Sequence, residues 1–373
     1  MDQYTHHAPT RVVGGVDSLE RLSDEVSKFP RNCLVVSGRR SARLSGLLGS
    51  IVDLLQAAKI ETTLFDQIEP NPTVDTIKDG AEMARSNRAR WILGVGGGSA
   101  IDAAKAIALM TVNQGDTRQF FNQLRPENTP LPVVAIPTTS GTGSEVTQYA
   151  VLTDVSEGDK FGIAMPELFP QIAILDPKQT VSMPENVTVD TGLDALCHAV
   201  EACFSKVRSP YTDVILGDAI RRVHTHLPVV RSQPDNLVSR AEMQVAACSA
   251  GFAIANTGTL VPHALGYPIT VRYELAHGRA TILLLPAFLE ALLETDPDRV
   301  SFIGDLLGNR DDAPKALRSF IESLGVAPRL RAYGVHEEDF DTFAELAKGK
   351  KHLEKSPGEW TTDKIKELYK RSF

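Results

Sequence analysis

Nowhere in its 373 residues does the chain hold an uninterrupted apolar run near the roughly 18 residues of a membrane span. Cysteine is sparse: Cys33, Cys197, Cys203 and Cys248 form no C-x-x-C pair, which excludes a disulfide scaffold and a zinc ribbon. Runs of basic residues are absent as well. With 47 acidic against 39 basic side chains the net charge is −8, so neither nucleic acid nor an anionic membrane is an expected partner. The opening stretch, MDQYTHHAPTRVVGG, lacks the basic-then-apolar pattern of a signal peptide, and a cytoplasmic protein is expected. Internal repeats and low-complexity tracts are missing. What is present is ordinary globular composition, 42% apolar and 23% charged, in a chain long enough for two domains.

Short apolar runs at 33–37 (CLVVS), 91–95 (WILGV), 133–136 (VVAI) and 172–175 (IAIL) predict strands. Between them the patterns at 41–59 and 73–86 predict helices, the second following the Asn71-Pro72 turn. Continuous apolar strands separated by helices predict a parallel sheet covered on both faces. Beyond residue 184 strand signals stop. Ala- and Leu-rich helical patterns follow at 189–205, 211–227, 239–255, 279–294, 312–324 and 337–347. The polar, Pro-bearing segment 176–185 (DPKQTVSMPE) marks the boundary. The expected architecture is an α/β domain over 1–180 and an all-helical domain over 181–373, and a cleft between two such domains is a usual place for a ligand.

Residues 91–109, WILGVGGGSAIDAAKAIAL, read as a buried strand, a glycine cluster and an alanine-rich helix. Gly96, Gly97 and Gly98 let backbone N–H groups approach a phosphate, and Ser99 is placed to cap a helix whose positive end favours the same anion. Asp102 and Lys105 sit one and two turns further on. A second strand runs into small hydroxyls and glycines in VVAIPTTSGTGSEV, with Thr138, Thr139, Thr142 and Ser144 suited to phosphate or ribose oxygens. In a parallel sheet both loops open at the carboxyl edge, where nucleotides bind. The G-x-x-x-x-G-K-[ST] spacing of a P-loop is absent, and the usual dinucleotide fingerprint is incomplete because Gly94-x-Gly96 is followed by Ser99.

TGLDALCHAVEA places Asp194 and His198 at i and i+4, on one face of an apolar helix. A carboxylate buried there needs a partner, which a neighbouring histidine or a helix-capping position would also supply. Further on, LVPHALGYPITVRYELAHGRA sets His263 and His277 among apolar and small residues. One Asp with three His makes an O/N ligand set suited to Fe²⁺ or Zn²⁺ with room for substrate. The remaining histidines lack that setting: His224 and His226 face apart at i and i+2, and His336 and His352 lie in charged stretches expected to be exposed.

Taken together, GVGGGSAIDAAKAIA, PTTSGTGSEVT, AILDP, TGLDALCHAVEA and HALGYPITVRYELAHG, in that order, resemble the iron-containing alcohol dehydrogenase family over nearly the whole chain. The resemblance implies an α/β dinucleotide-binding domain, a helical metal-binding domain of the dehydroquinate synthase-like fold, and a homodimer. By motif position Asp194, His198, His263 and His277 correspond to the family's metal ligands, and Gly97, Gly98, Ser99, Thr138 and Thr142 to its cofactor loops. Two departures stand out. A second histidine that the family commonly carries four residues after the His263 position is here Tyr267. After the first strand, where some NAD-using members carry an Asp for the adenosine ribose, this chain reads Ser37-Gly38-Arg39-Arg40.

The implied chemistry is metal-assisted hydride transfer between a nicotinamide and a small aldehyde or alcohol. Asp102 and Tyr267 are read as catalytic; water, the cofactor ribose and Tyr267 are the candidate proton sources. Gly38 leaves room for a 2′-phosphate and Arg39 or Arg40 could pair with it, so NADPH is expected over NADH. Arg272 and Arg279, close in sequence to His277, are expected to favour an anionic aldehyde. The Tyr-Pro-Ile-Thr variant of the motif resembles the phosphonoacetaldehyde reductase branch. Reduction of simple aliphatic aldehydes and a dehydroquinate synthase-like lyase reaction are the alternatives.

Overall fold

The computed structural model describes residues 3–121, 124–156 and 159–373. They form two compact units, residues 8–184 with 235–244, and residues 185–234 with 245–373 and the N-terminal stretch up to His7. The division departs from a single cut at residue 180 because 235–244 pack with the α/β unit, where the Gln244 side-chain amide donates to the Asp176 carbonyl at 3.3 Å.

The α/β unit is built on strands β1 (Arg11–Gly14), β2 (Asn32–Gly38), β3 (Glu61–Ile68), β4 (Trp91–Gly96), β5 (Val133–Pro137), β6 (Tyr149–Asp154), β7 (Asp159–Ala164) and β8 (Ile172–Leu175). Six of them make a wholly parallel sheet in the order β1-β8-β5-β4-β2-β3, while β6 and β7 pair antiparallel as a separate ribbon. Alternation along the strands divides the core. Leu34, Val36 and Ile92 point to the face covered by helices Val74–Ser86 and Gly98–Val112. Cys33, Val35, Trp91, Leu93 and Val95 point to the other, against helix Leu47–Ala57. The expected strands are the central ones. The edge strands β1 and β3 were not expected, because they bury few residues and lack a continuous apolar run.

Local chemistry sets the helix ends. Thr73 caps Val74–Ser86 by accepting the Thr76 N–H at 3.3 Å, after Asn71 turns in the left-handed region (φ 58°). The helix expected over 41–59 is two pieces, Ser41–Leu44 and Leu47–Ala57, because Gly46 adopts φ 79° between them. The one expected over 279–294 is likewise His277–Ile282 followed by Leu285–Leu292, which restarts at Pro286.

From residue 185 onward the described residues contain no strand. The principal helices are Glu185–Phe204, Pro210–Ser232, Leu237–Thr257 and Val261–Tyr273. Among the described residues no single helix is long and apolar enough to cross a membrane. All four cysteines are unpaired with one another and buried.

Leu34 is fully enclosed at the centre of β2. Leu34→Ala is expected to destabilise the α/β unit by about 2–5 kcal/mol, read as a lowered urea midpoint, since the surrounding helices cannot collapse onto the vacated volume.

Candidate metal centre and cofactor loops

In the α/β unit the chain reverses its direction across the sheet between β2 and β4, and the carboxyl ends of these strands carry Gly38-Arg39-Arg40 and Gly96-Gly97-Gly98. A topological switch point of this kind is where parallel sheets bind nucleotides. Gly96 takes φ 143°, which lets the strand turn sharply into the helix. Gly97, rather than Ser99, is the residue before the helix, and no side chain caps it. Ser99 lies in the first turn, where its hydroxyl accepts the Asn71 N–H at 3.3 Å. The capping role expected of Ser99 is thereby corrected, and the helix start faces its surroundings with backbone N–H groups.

The second loop closes on the first. Thr138 N–H donates to the Gly96 carbonyl at 2.9 Å. A Cβ at Gly97 would stand 3.2 Å from Thr139 Cγ2, and one at Gly98 only 2.6 Å from Thr142 Cγ2. The glycines are therefore required by contact between the loops, whose small residues leave a backbone-lined cradle suited to a diphosphate.

Asp102 sits behind that cradle. The Ser144 hydroxyl donates to one of its oxygens, Val151 N–H donates to the other at 3.0 Å, and the Lys105 ammonium stands 3.7 Å away. One oxygen anchors the second loop through Ser144 and the other anchors β6 through Val151, which gives Asp102 a positioning role. Lys105 in turn donates to Ser144 Oγ and to the Tyr149 carbonyl, each at 2.8 Å. Burial pushes Lys105 down to about 8 against the charges of Asp102 and Glu145, and pushes Glu145 up to about 7. At the β2 end, Arg39 donates to the Gln67 carbonyl at 3.0 Å and lies 3.6 Å from Glu69, and both Arg39 and Arg40 are exposed.

In the helical unit, Asp194 and His198 project from the buried face of Glu185–Phe204. His263 comes from the first turn of Val261–Tyr273, and His277 opens the next helix. Gly278 makes the approach feasible: a Cβ there would meet the Asp190 carbonyl at 2.1 Å and Asp194 Cβ at 2.8 Å. Ligand atoms of Asp194, His263 and His277 all lie within 4.8 Å of one another. His198 stands beside them, its ring stacked on that of His263 with centroids 4.6 Å apart.

Asp194 Oδ1 and His263 Nε2 are buried, 3.6 Å apart, and neither has a hydrogen-bond partner. Orphaned polar atoms facing one another in an apolar helix layer fit a bound divalent cation, and a mixed carboxylate and imidazole set suits Fe²⁺ or Zn²⁺. Burial raises the Asp194 carboxyl, but His198, then His263 and His277, outweigh it and hold the group well below the usual carboxylate range.

Glu201, which sequence reasoning missed, is the other fixed point. It is fully buried, accepts the Leu260 N–H, and takes His263 Nδ1 at 2.5 Å. Burial disfavours the charge on His263, but Glu201 and then Asp194 prevail and raise it to about 10. A carboxylate on Nδ1 fixes the tautomer that presents Nε2 to a cation. Its position one turn after His198 was the available signal.

Tyr267, one turn past His263, stacks on the His277 ring at 5.1 Å with the planes 5° apart. The expected substrate arginines do not join it. Arg279 donates to Asp190 at 2.7 Å and is neutralised there, and Arg272, 66% exposed, lies 3.8 Å from Asp339. His352, expected to be exposed, instead meets the edge of Tyr267 with centroids 5.8 Å apart. Burial, then the charges of His263 and Lys350, push its pKa down to about 3, so the ring is neutral.

Two family models divide the chain between them. That of the iron-containing alcohol dehydrogenases matches residues 9–177, and that of the C-terminal region of the Fe-containing alcohol dehydrogenase family matches residues 188–373. The chain belongs to the iron-containing alcohol dehydrogenase family. As a member it is an oxidoreductase with the dehydroquinate synthase-like fold, equipped for a metal and a nicotinamide cofactor. It is 31% identical to the long-chain primary alcohol dehydrogenase AdhA of Thermoanaerobacter ethanolicus, over 96% of this chain and 94% of that one. It is 29% identical to a sulfoacetaldehyde reductase of Bilophila wadsworthia, over 99% of each. The crystal structure of a sulfoacetaldehyde reductase from Bifidobacterium kashiwanohense in complex with NAD+ superposes with a TM-score of 0.91, at 28% identity, covering 100% of this chain and 99% of that one.

For this dehydrogenase, Glu201→Gln is expected to weaken Zn²⁺ binding by roughly tenfold to a hundredfold, measured by competition with a chromogenic chelator. Wild-type affinity in that variant would remove Glu201 from the account. Gly98→Ala is expected to push the two loops apart and raise the dissociation constant for the nicotinamide cofactor by at least about tenfold, an effect worth roughly 1.4 kcal/mol, read by fluorescence titration.

Proposed function

We propose that the enzyme is a metal-dependent, nicotinamide-linked reductase of short aldehydes bearing an anionic group, phosphonoacetaldehyde among them, yielding 2-hydroxyethylphosphonate. The observation that carries the reductase reading is the convergence of buried Asp194 and His263 with half-buried His277, with unpartnered Asp194 and His263 atoms facing each other. The anionic substrate is supported by the relatives named sulfoacetaldehyde reductases, a name that joins an aldehyde to a sulfonate. A second reading, reduction of simple aliphatic aldehydes, is favoured by the relative named a long-chain primary alcohol dehydrogenase.

Asp194, His198, His263 and His277 would hold the ion, Fe²⁺ with Zn²⁺ as the alternative. When bound, the ion supplies Lewis-acid polarisation of a carbonyl oxygen and the nicotinamide supplies hydride. The chain's own part is arrangement. Glu201 keeps His263 in one tautomer, Gly278 seats His277 beside Asp194, and the apolar helices bury Asp194, His198 and His263. The glycine and threonine loops offer backbone N–H groups and hydroxyls to the cofactor's phosphates and ribose, with Lys105 and Asp102 fixing the loop behind them.

Loading with Fe²⁺ and following NADPH absorbance with phosphonoacetaldehyde and butyraldehyde tests the reading. A higher kcat/KM for the anionic aldehyde is expected, and a strong preference for butyraldehyde would select the second reading. Chelation should abolish turnover with both.

NADPH is the proposed cofactor, with Arg40 as the 2′-phosphate partner, since Arg39 is engaged by Gln67 and Glu69. A Cβ at Gly38 would meet its nearest neighbour, the Ile68 carbonyl, at an ordinary 3.6 Å. Gly38→Asp is therefore accommodated and is expected to turn the NADPH/NADH ratio of kcat/KM toward NADH. An unchanged ratio in this variant and in Arg40→Ala would place the phosphate elsewhere.

A further inference from the structure

Outside the metal group, the helical unit carries a cavity whose hydrogen-bond donors the protein leaves unused. It has a volume of about 330 Å³ and opens where the first turn of Glu185–Phe204, the last turn of Pro210–Ser232 and the turn after helix Ala313–Ser323 meet. None of Asp194, His198, His263 and His277 lines it. Two arginines make its polar wall. Arg279 donates to Asp190 through Nε alone, at 2.7 Å, and the Tyr333 ring covers one face of the guanidinium, its centre 5.6 Å from Cζ. The forked end of the group, Nη1 and Nη2, has no hydrogen-bond partner among the described residues. Arg231 donates through Nε to Glu185 at 2.8 Å and through Nη1 to the Ser323 carbonyl at 3.0 Å, which leaves its Nη2 unmatched. A Cβ at Gly325 would stand 3.0 Å from that Nη2, so the glycine, turning at φ 75°, keeps the tip of Arg231 reachable. Both side chains meet solvent, Arg279 at 22% and Arg231 at 33% exposure. The rest of the wall is apolar, from Val189, Leu324 and Val326.

We propose that this cavity is an anion-binding site separate from the metal centre, taking a small tetrahedral oxyanion on a short apolar chain, an alkylphosphonate being the simplest example. A tetrahedral phosphorus group presents three oxygens. The Arg279 fork engages two of them, in the bidentate geometry that guanidinium favours, and Arg231 Nη2 engages the third. A carboxylate has only two oxygens and leaves one donor unmatched. The alkyl chain lies against Val189, Leu324 and Val326, where its carbon leaves water. Asp190 and Glu185 already balance the two arginines in formal charge, so the affinity comes from directed hydrogen bonds rather than from a net positive field. The site does not depend on which aldehyde the enzyme reduces, because it shares no lining residue with the metal group.

The test is isothermal titration of propylphosphonate into Zn²⁺-loaded enzyme saturated with NADP+, so that the cofactor loops are filled, in wild type, Arg279→Gln, Arg231→Gln and Glu185→Gln. Wild type is expected to show saturable binding in the millimolar range or tighter. Arg279→Gln should raise the dissociation constant by roughly tenfold to a hundredfold, as loss of two charge-assisted bonds requires, and Arg231→Gln by a smaller factor. Glu185→Gln removes the carboxylate that competes for Arg231 and should lower the constant by about threefold, a gain that a merely disturbed fold would not produce. Butyrate, with the same propyl chain and a planar head, should bind at least about fivefold more weakly than propylphosphonate. Absence of saturable binding in the wild type overturns the proposal. So does an unchanged constant in Arg279→Gln, which would place the phosphonate on the metal ion instead. Weaker binding in Glu185→Gln would mark the arginine pairs as purely structural and overturn it as well, and equal affinity for butyrate would overturn the tetrahedral assignment.

Discussion

Two carboxylates buried in the same helix, Asp194 and Glu201, set the terms for the helical unit. Neither is tolerable in an apolar layer alone, because removing a carboxylate from water costs several kcal/mol unless charge and hydrogen bonds replace the solvent. Glu201 is satisfied by the protein itself, through His263 and the Leu260 N–H. Asp194 is satisfied only in part, and its remaining oxygen faces an equally unpartnered imidazole nitrogen. The difference between these two carboxylates separates support from site. Helices Val261–Tyr273 and His277–Ile282 have to pack where they do to bring their histidines against this charge, and Gly278 is the residue that permits it.

The same division of labour holds in the α/β unit. Gly97 and Gly98 lie where two loops touch, Thr139 and Thr142 supply the opposing surface, and the Asp102–Ser144–Lys105 group stands behind as a brace. A brace of buried charges is rigid because each member is held by the others. Breaking one such pair leaves an uncompensated charge at a cost of about 3–5 kcal/mol. Rigidity is what a cofactor loop needs if it is to offer fixed N–H groups in place of water.

Much of this was legible in the sequence where local pattern and function coincide. The central strands announce themselves by continuous apolar runs, and the glycine loops by spacing. The candidate metal set was marked by the i, i+4 relation of Asp194 and His198 with two further histidines among apolar neighbours, and the fold gathers Asp194, His263 and His277 of that set within 4.8 Å. What stayed hidden depends on distant parts of the chain. Edge strands β1 and β3 need only one good face, so their sequences carry no strong strand signature. The ion pair of Arg279 could not be read locally because its partner, Asp190, lies 89 residues away. His352 looked like a surface residue because its charged neighbours dominate the local composition, whereas the turn at Gly349 and the Ser356 bonds carry its ring to Tyr267.

The cysteines, sparse at the outset, have a consequence of their own. All four are buried, and burial raises the thiols of Cys33, Cys197 and Cys203 above their ordinary values. Thiols held protonated and out of solvent react slowly with alkylating reagents and peroxide. The native thiols are therefore expected to react slowly with maleimides while the chain is folded. A single cysteine introduced on an exposed helix could be tagged selectively with a dye or spin label, with no native residue needing replacement first.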